Sequence, residues 1–368
     1  MLPLLILAGV FFLVTMVSNA RSDIYGHDFY GVWQAGKAVL AGRSPYPDPD
    51  PDQLLLVGNS LISPPLLAFV VVPLTFVPFT LALLLWNLVT ASSLALALRL
   101  VGLRDWRCYV LAFASFPVAS CFVLGQLDGL LALGCALAWR YRDRRVVAAL
   151  AVASLIALKL LAWPLLIWLV ATRRTRTALL AAATSVFLVG ASWAAIGFKG
   201  FSSYPSLLKA DADAFQGGSH SIVSAIMRLG APETPARSAA LVVGALLIGF
   251  AVAVARTQDG QRRSFGLALG AGIFMSPLVH PHYLVPLLVP LALGRPCAGL
   301  AWLLLVGLWV DPVEPPAATW RLLVSVGSAL LVVLLTGKRS PRMTPELAET
   351  ARPAPDARRV IVAPVSVP

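Results

Sequence analysis

Apolar residues recur along this chain in long runs from residue 2 almost to residue 336, and polar residues are confined to short intervals between them. The runs are continuous and rich in Leu and Ala rather than alternating with a period of two, which predicts helices and argues against a β-barrel. In order, crossings are expected at residues 2–17, 79–98, 109–124, 127–139, 146–158, 161–171, 178–196, 238–255, 265–275, 284–293, 298–310 and 321–336. A Pro-rich piece at 64–77 reads as a re-entrant or broken segment. Several runs are shorter than the ~20 residues of a full span, so their polar ends must be buried in protein or line a cavity. The expected fold class is an all-α polytopic membrane protein of about 12 transmembrane helices. Residues 1–336 form the membrane domain, and residues 337–368 a basic, Pro-rich tail expected to be disordered. The first run ends in Ser18-Asn19-Ala20, similar to a signal-peptidase site, but no basic residue precedes it, so a retained first helix is expected.

Two longer polar stretches, 19–60 and 198–237, interrupt the pattern. In the first, Phe29, Val32, Trp33, Gly36, Val39 and Leu40 follow helical spacing, which predicts a helix beginning at Asp28 and lying in the membrane interface. In the second, Ile222, Ala225, Ile226 and Leu229 repeat that spacing. The segment Pro45-Tyr46-Pro47-Asp48-Pro49-Asp50-Pro51-Asp52 reads as stiff and extended, its acids forming a solvated turn rather than a cation site.

Composition sharpens this picture. Of 368 residues 58% are hydrophobic and 12% charged, about half the charged fraction of a soluble domain, so the apolar excess must face lipid. The net charge of +12 comes from 29 Lys and Arg against 17 Asp and Glu. Most of the basic residues cluster at 99–107, 140–145, 173–176, 256–263 and 338–359, while most of the acids fall in the alternate intervals. That asymmetry puts the basic loops and both termini in the cytoplasm and the two long polar stretches outside a plasma membrane. Nucleic acid is not needed as a partner. Cys108, Cys121, Cys135 and Cys297 lie in or beside apolar runs without metal-type spacing and read as packing residues. The tail is the largest cytoplasmic segment, too small for a nucleotide-binding domain. Group-transfer chemistry would therefore use a donor available at the outer face.

Under this topology the rare polar residues gather at that face: His27, Asp28, Gln126, Asp128, Lys159, Asp211, Asp213, His220, His280, His282, Asp311 and Glu314. Polar groups at such depth usually face a cavity. Spacing alone favours Asp28 as a helix N-cap, and a general base taking a proton from an acceptor hydroxyl is the compatible, sharper reading. Lys159 reads either as a snorkelling lysine or, since short spans flank it and Trp163-Pro164 follows at once, as an ammonium facing a lipid phosphate. His280 and His282 flank Pro281 at a span end and suit phosphate or acceptor contacts; zinc lacks a third ligand with helpful spacing. Gln126 and Asp128 either contact sugar hydroxyls or cap a helix. Asp211-Ala212-Asp213 matches a short metal–nucleotide pattern that recurs often by chance.

These residues sit in a longer ordered set. It comprises Asp28-Phe29-Tyr30, Gly42-Arg43-Ser44-Pro45-Tyr46, Ser63-Pro64-Pro65, Pro73-Leu74 through Pro78-Phe79 to Trp86, Gly125-Gln126, Lys159 with Pro164, and Ser276-Pro277 leading to His280 and His282. In this order the chain resembles the polyprenol-phosphate-sugar-dependent GT-C glycosyltransferases, specifically the glycosyltransferase 87 family. That family includes actinobacterial mannosyltransferases acting on phosphatidylinositol mannosides and arabinofuranosyltransferases building cell-wall arabinan. The resemblance implies a GT-C-type helical bundle with Asp28 as catalytic base and a late His near the donor phosphate, His282 first and His280 second, with Lys159 beside it. His27, Tyr30, Tyr46, Gln126, Asp128 and His220 complete the set expected around sugar or acceptor. Departures from the family pattern at Ser63, Asp128 and Pro281 bear on sugar and acceptor identity more than on reaction type. The implied reaction is inverting transfer of a sugar, mannose by preference, from a polyprenyl-phosphate donor to a cell-envelope glycolipid or glycan. It demands no cofactor, nucleotide or metal. Transfer of arabinofuranose is the nearest alternative. A secondary transporter is the alternative from another class, although it would more often show repeated halves and polar residues near the midplane.

Overall fold

The computed structural model describes residues 25–46, 61–308 and 319–336, all within one unit, Met1–Lys338. The expected first span, the acidic segment beyond Tyr46, Asp311, Glu314 and the basic tail lie outside the described residues.

Every regular element among the described residues is helical. The chain runs α1 (His27–Leu40), α2 (Leu66–Val71) with a 3₁₀ turn (Val72–Phe76), α3 (Phe79–Leu100), α4 (Trp106–Phe113), α5 (Phe116–Leu124), α6 (Asp128–Arg140) and α7 (Arg145–Leu158). A 3₁₀ turn (Leu160–Ala162) then leads to α8 (Pro164–Ala171), α9 (Thr175–Ala195), α10 (Tyr204–Phe215), α11 (Ile222–Arg228), α12 (Glu233–Val254) and α13 (Gln258–Phe274). A longer 3₁₀ segment (Pro281–Leu287) precedes α14 (Leu288–Gly294), α15 (Leu300–Gly307) and α16 (Thr319–Leu335).

The helices α3, α9 and α12 are long and apolar enough to cross a membrane, and the bent pair α4–α5 makes a fourth if it is one span. Each is apolar on both faces. In α3 the inward set Ala82, Leu83, Trp86, Thr90, Ser93, Leu94 and Ala97 recurs every three or four residues. Phe187 on α9 and Leu246 on α12 are 69% and 68% exposed, as expected of side chains that meet lipid. The expected single span at 109–124 is instead two helices bent by 55°. The break falls where Ser115, extended, precedes Pro117, a residue that cannot donate to the preceding turn.

Helix α6 lies between α3 and α7, and α7 continues the layer to α9; α12 pairs with α13. Gly129 permits the α3–α6 contact, since a Cβ there would fall 2.3 Å from the Thr90 carbonyl oxygen. Small residues at such crossings let helix backbones approach closely. The segment Pro281–Leu287 packs on α5 and α6. Its 3₁₀ form follows from Pro281 and Pro286, each lacking the N–H that an α-helix needs.

Leu40 and Leu229 are exposed, Leu40 at the end of α1. One local expectation is corrected: Cys108, Cys121 and Cys135 are buried as packing residues, but Cys297 is exposed. The stretch 198–237 carries α10 as well as the expected helix α11. The spacing of Tyr204, Leu207, Leu208 and Asp211 would have revealed it.

Candidate active site

The site begins where α1 docks on the end of α5. Gly26, left-handed at φ 73°, donates its N–H to the Val123 carbonyl at 2.7 Å. Gly26, not Asp28, is the residue before the helix, so the N-cap reading of Asp28 gives way: Asp28 lies within the first turn. Phe29 is fully buried and stacks on Trp86 at 5.3 Å. Trp86 in turn donates its indole N–H to the Gly125 carbonyl at 2.8 Å. Gly125 is also left-handed, and a Cβ there would fall 2.6 Å from the Phe29 Cβ, so only glycine lets α1 sit this close. The turn it makes presents Gln126, whose side-chain amide donates to the Asp28 carboxylate.

Opposite lies a second buried polar group. Asp128, at the start of α6 and 1% exposed, accepts from the Lys159 ammonium, with Nζ 3.1 Å from Oδ1 and 3.4 Å from Oδ2. Lys159 sits in the break between α7 and the next turn, and its Nζ lies 3.5 Å from the centre of the Tyr283 ring. The ammonium is held by a carboxylate and an aromatic face and does not snorkel outward. His282 packs behind this pair, its Nε2 3.9 Å from Asp128 Oδ2, while His280 stacks on His282 with ring centres 5.5 Å apart.

A cavity of about 270 Å³ joins these groups; among its lining residues are His27, Asp28, Gln126, Lys159, Asp211, His280 and Tyr283. A second of about 300 Å³ shares Ile62, Ser63, Lys159, Asp211 and Tyr283 with it but is otherwise lined mainly by apolar residues, including Leu160, Leu161, Leu208, Pro277 and Leu278. Burial raises the Asp28 pKa to about 6, against the Gln126 hydrogen bond and the Lys159 charge, with a smaller upward push from Asp128. Burial, then the Asp28 charge, carries Asp211 to about 7. His280 falls to about 4 through burial, then repulsion from Lys159 and His220.

Of the residues singled out from sequence, His27, Asp28, Gln126, Lys159, Asp211 and His280 border the polar cavity. His282 does not; it is buried at 1% exposure behind His280. Asp128 is likewise off the cavity, as the counter-ion of Lys159. Tyr30 is 46% exposed and its hydroxyl accepts from Gln34 at 2.7 Å. His220 is buried, with Nδ1 2.9 Å from the Ser325 hydroxyl and its backbone N–H donating to the Val279 carbonyl. Tyr46 donates to the Ser63 carbonyl at 3.0 Å and stacks on Trp193, so it fastens the cavity wall rather than facing the space. Asp213 is exposed while Asp211 is buried, as residues two apart on a helix must diverge. Tyr283 was missed, although it directly follows the His pair. No cluster of three or more His, Cys, Asp or Glu fit to hold a metal occurs among the described residues.

The family model of glycosyltransferase family 87 matches residues 62–281, more than half of the chain. The chain belongs to glycosyltransferase family 87, consistent with the GT-C superfamily of glycosyltransferases. The matched stretch contains Gln126, Asp128, Lys159, Asp211, His220 and His280, whereas Asp28 precedes it and His282 directly follows it. No curated protein and no solved structure matches the chain.

Proposed function

We propose that this glycosyltransferase moves a sugar, mannose by preference, from a polyprenyl-phosphate donor to a glycolipid or glycan of the cell envelope. The reaction inverts the anomeric carbon at the outer face of the plasma membrane. The observation that carries the reading is one cavity bordered by a Gln126-bound carboxylate, Asp28, and an ammonium, Lys159. Topology supports it from the sequence side: about 12 crossings with cytoplasmic basic loops leave this cavity outside, away from nucleotide sugars.

In the proposed step the Asp28 carboxylate takes the proton of the acceptor hydroxyl as that oxygen bonds to the anomeric carbon. The bond from that carbon to the phosphate oxygen breaks, and its electron pair leaves with the lipid phosphate. A base with pKa near 6 is ionised at neutral pH yet still basic enough to assist. Lys159 has three N–H bonds; Asp128 orients the ammonium and leaves a donor for the phosphate. His280, bordering the same space, supplies a second contact to the leaving group. Leu160, Leu161, Leu208, Pro277 and Leu278 offer the neighbouring cavity to the isoprenoid tail.

A panel of lipid-linked and nucleotide-linked sugars given to the purified protein tests this. Consumption of a polyprenyl-phosphate sugar is expected, and transfer from a nucleotide sugar would overturn the reading.

A further inference from the structure

Among the described residues Asp211 is the one carboxylate bordering both cavities, and the reaction just proposed gives it no task. Helix α10 brings it there. The Tyr204 hydroxyl donates to the Ile62 carbonyl at 2.8 Å, its ring meets Trp193 and Tyr46, and Leu207 is 1% exposed. The helix is thereby pinned to the 61–64 segment that walls both spaces. Asp211 itself is 8% exposed and has no hydrogen-bond or ion-pair partner among the described residues. Its buried neighbours differ: Asp28 has Gln126 and Asp128 has Lys159. Its carboxylate borders both cavities, where a bound hydroxyl-bearing ligand can supply the hydrogen bonds the protein does not.

We propose that Asp211 hydrogen-bonds the ring hydroxyls of the donor sugar, at the junction where the polar cavity meets the apolar one. The proposal rests on the polyprenyl-phosphate donor reading. With the lipid phosphate at Lys159 and the tail among Leu160, Leu161 and Leu208, the sugar is one bond from the phosphate and between Lys159 and Asp28. Asp28 is committed to the acceptor hydroxyl, so Asp211 is the carboxylate left to bind the rest of the ring, with His27 and Ser63 on the same wall. A carboxyl that shares its space with the Asp28 charge is partly protonated near neutral pH and can both donate to and accept from sugar hydroxyls. The surroundings divide the two roles: Asp28, held by Gln126, is the base, and Asp211, at the junction of the two cavities, binds.

The experiment compares binding of polyprenyl phosphate with that of its mannose, glucose and arabinofuranose derivatives to the full-length protein in lipid nanodiscs. Wild type is expected to prefer one sugar-bearing lipid over the bare phosphate. Asp211→Leu should lower that preference about tenfold, the usual loss when a site built for a hydroxyl loses its polar group. Its affinity for bare polyprenyl phosphate should be unchanged, which also shows that the variant is folded. Asp211→Asn, still able to hydrogen-bond, should recover part of the preference. If Asp211→Leu keeps the full preference, or if wild type binds sugar-bearing and bare lipids equally, the assignment is overturned while the donor class stands. If wild type binds none of these lipids, the donor reading fails and takes the assignment with it.

Discussion

The Lys159 ammonium lies 3.1 Å from the Asp128 carboxylate, joining two residues 31 positions apart at the start of α6 and the end of α7. Both side chains are buried, at 11% and 1% exposure. Removing one member of such a pair strands a charge, at a cost of about 3–5 kcal/mol. Asp128→Asn and Lys159→Met should therefore each lower the midpoint of thermal unfolding in detergent. The double variant Asp128→Leu with Lys159→Met should recover much of the loss yet remain inactive. Equal destabilisation by singles and double would show that the pair is not coupled.

With Asp28 as the proposed base, its pKa of about 6 is expected to set the acid limb of the pH profile. Its folded value lies above the ordinary carboxylate range, so the base form is lost as pH falls through 6, and kcat/KM should drop about tenfold per pH unit below that point. Gln126→Leu removes a hydrogen bond that favours the carboxylate, so the limb should move to higher pH. Rates measured between pH 4 and pH 8 decide; a profile that stays flat down to pH 5 in wild type speaks against this base.

Gly125→Ala tests the coupling of α5 to α1. The left-handed φ of 73° and the contact at 2.6 Å with Phe29 both oppose a side chain, and the combined strain is about 1–3 kcal/mol. Turnover should fall together with stability, because Phe29 cannot move without carrying Asp28. A variant with wild-type kcat would mean that Asp28 needs no such positioning.

Topology is checked by cysteine labelling at Ser44 and Ser340. Labelling from opposite sides of the membrane is expected, and labelling of both from one side contradicts the assigned orientation.

The long helices were legible because continuous apolar runs leave little choice: the run at 79–98 became Phe79–Leu100, and that at 178–196 became Thr175–Ala195. The bend between α4 and α5 was less visible, since Ser115 and Pro117 sit inside an unbroken apolar stretch. The polar residues could be gathered at one face by charge counting, but their pairing could not be read. Asp28 meets Gln126 across 98 residues only because Gly125 turns left-handed, and Asp128 takes Lys159 rather than the cavity. Between His280 and His282 the 3₁₀ geometry that begins at Pro281 decides which ring faces the space, and no spacing rule supplies that. In the sequence Asp211 stands out only as one of the polar residues at that face and as part of a short acidic pattern. Its helix, whose buried face runs through Leu207, Ala210 and Asp211, is what gives it a place at the cavity.

The most direct test of the central claim is turnover of Asp28→Asn with the polyprenyl-phosphate sugar that wild type consumes. The amide keeps the size of the carboxylate and cannot take the proton. The expected result is a protein that folds, inserts and binds donor like wild type but transfers sugar too slowly to detect. Transfer at the wild-type rate would contradict it.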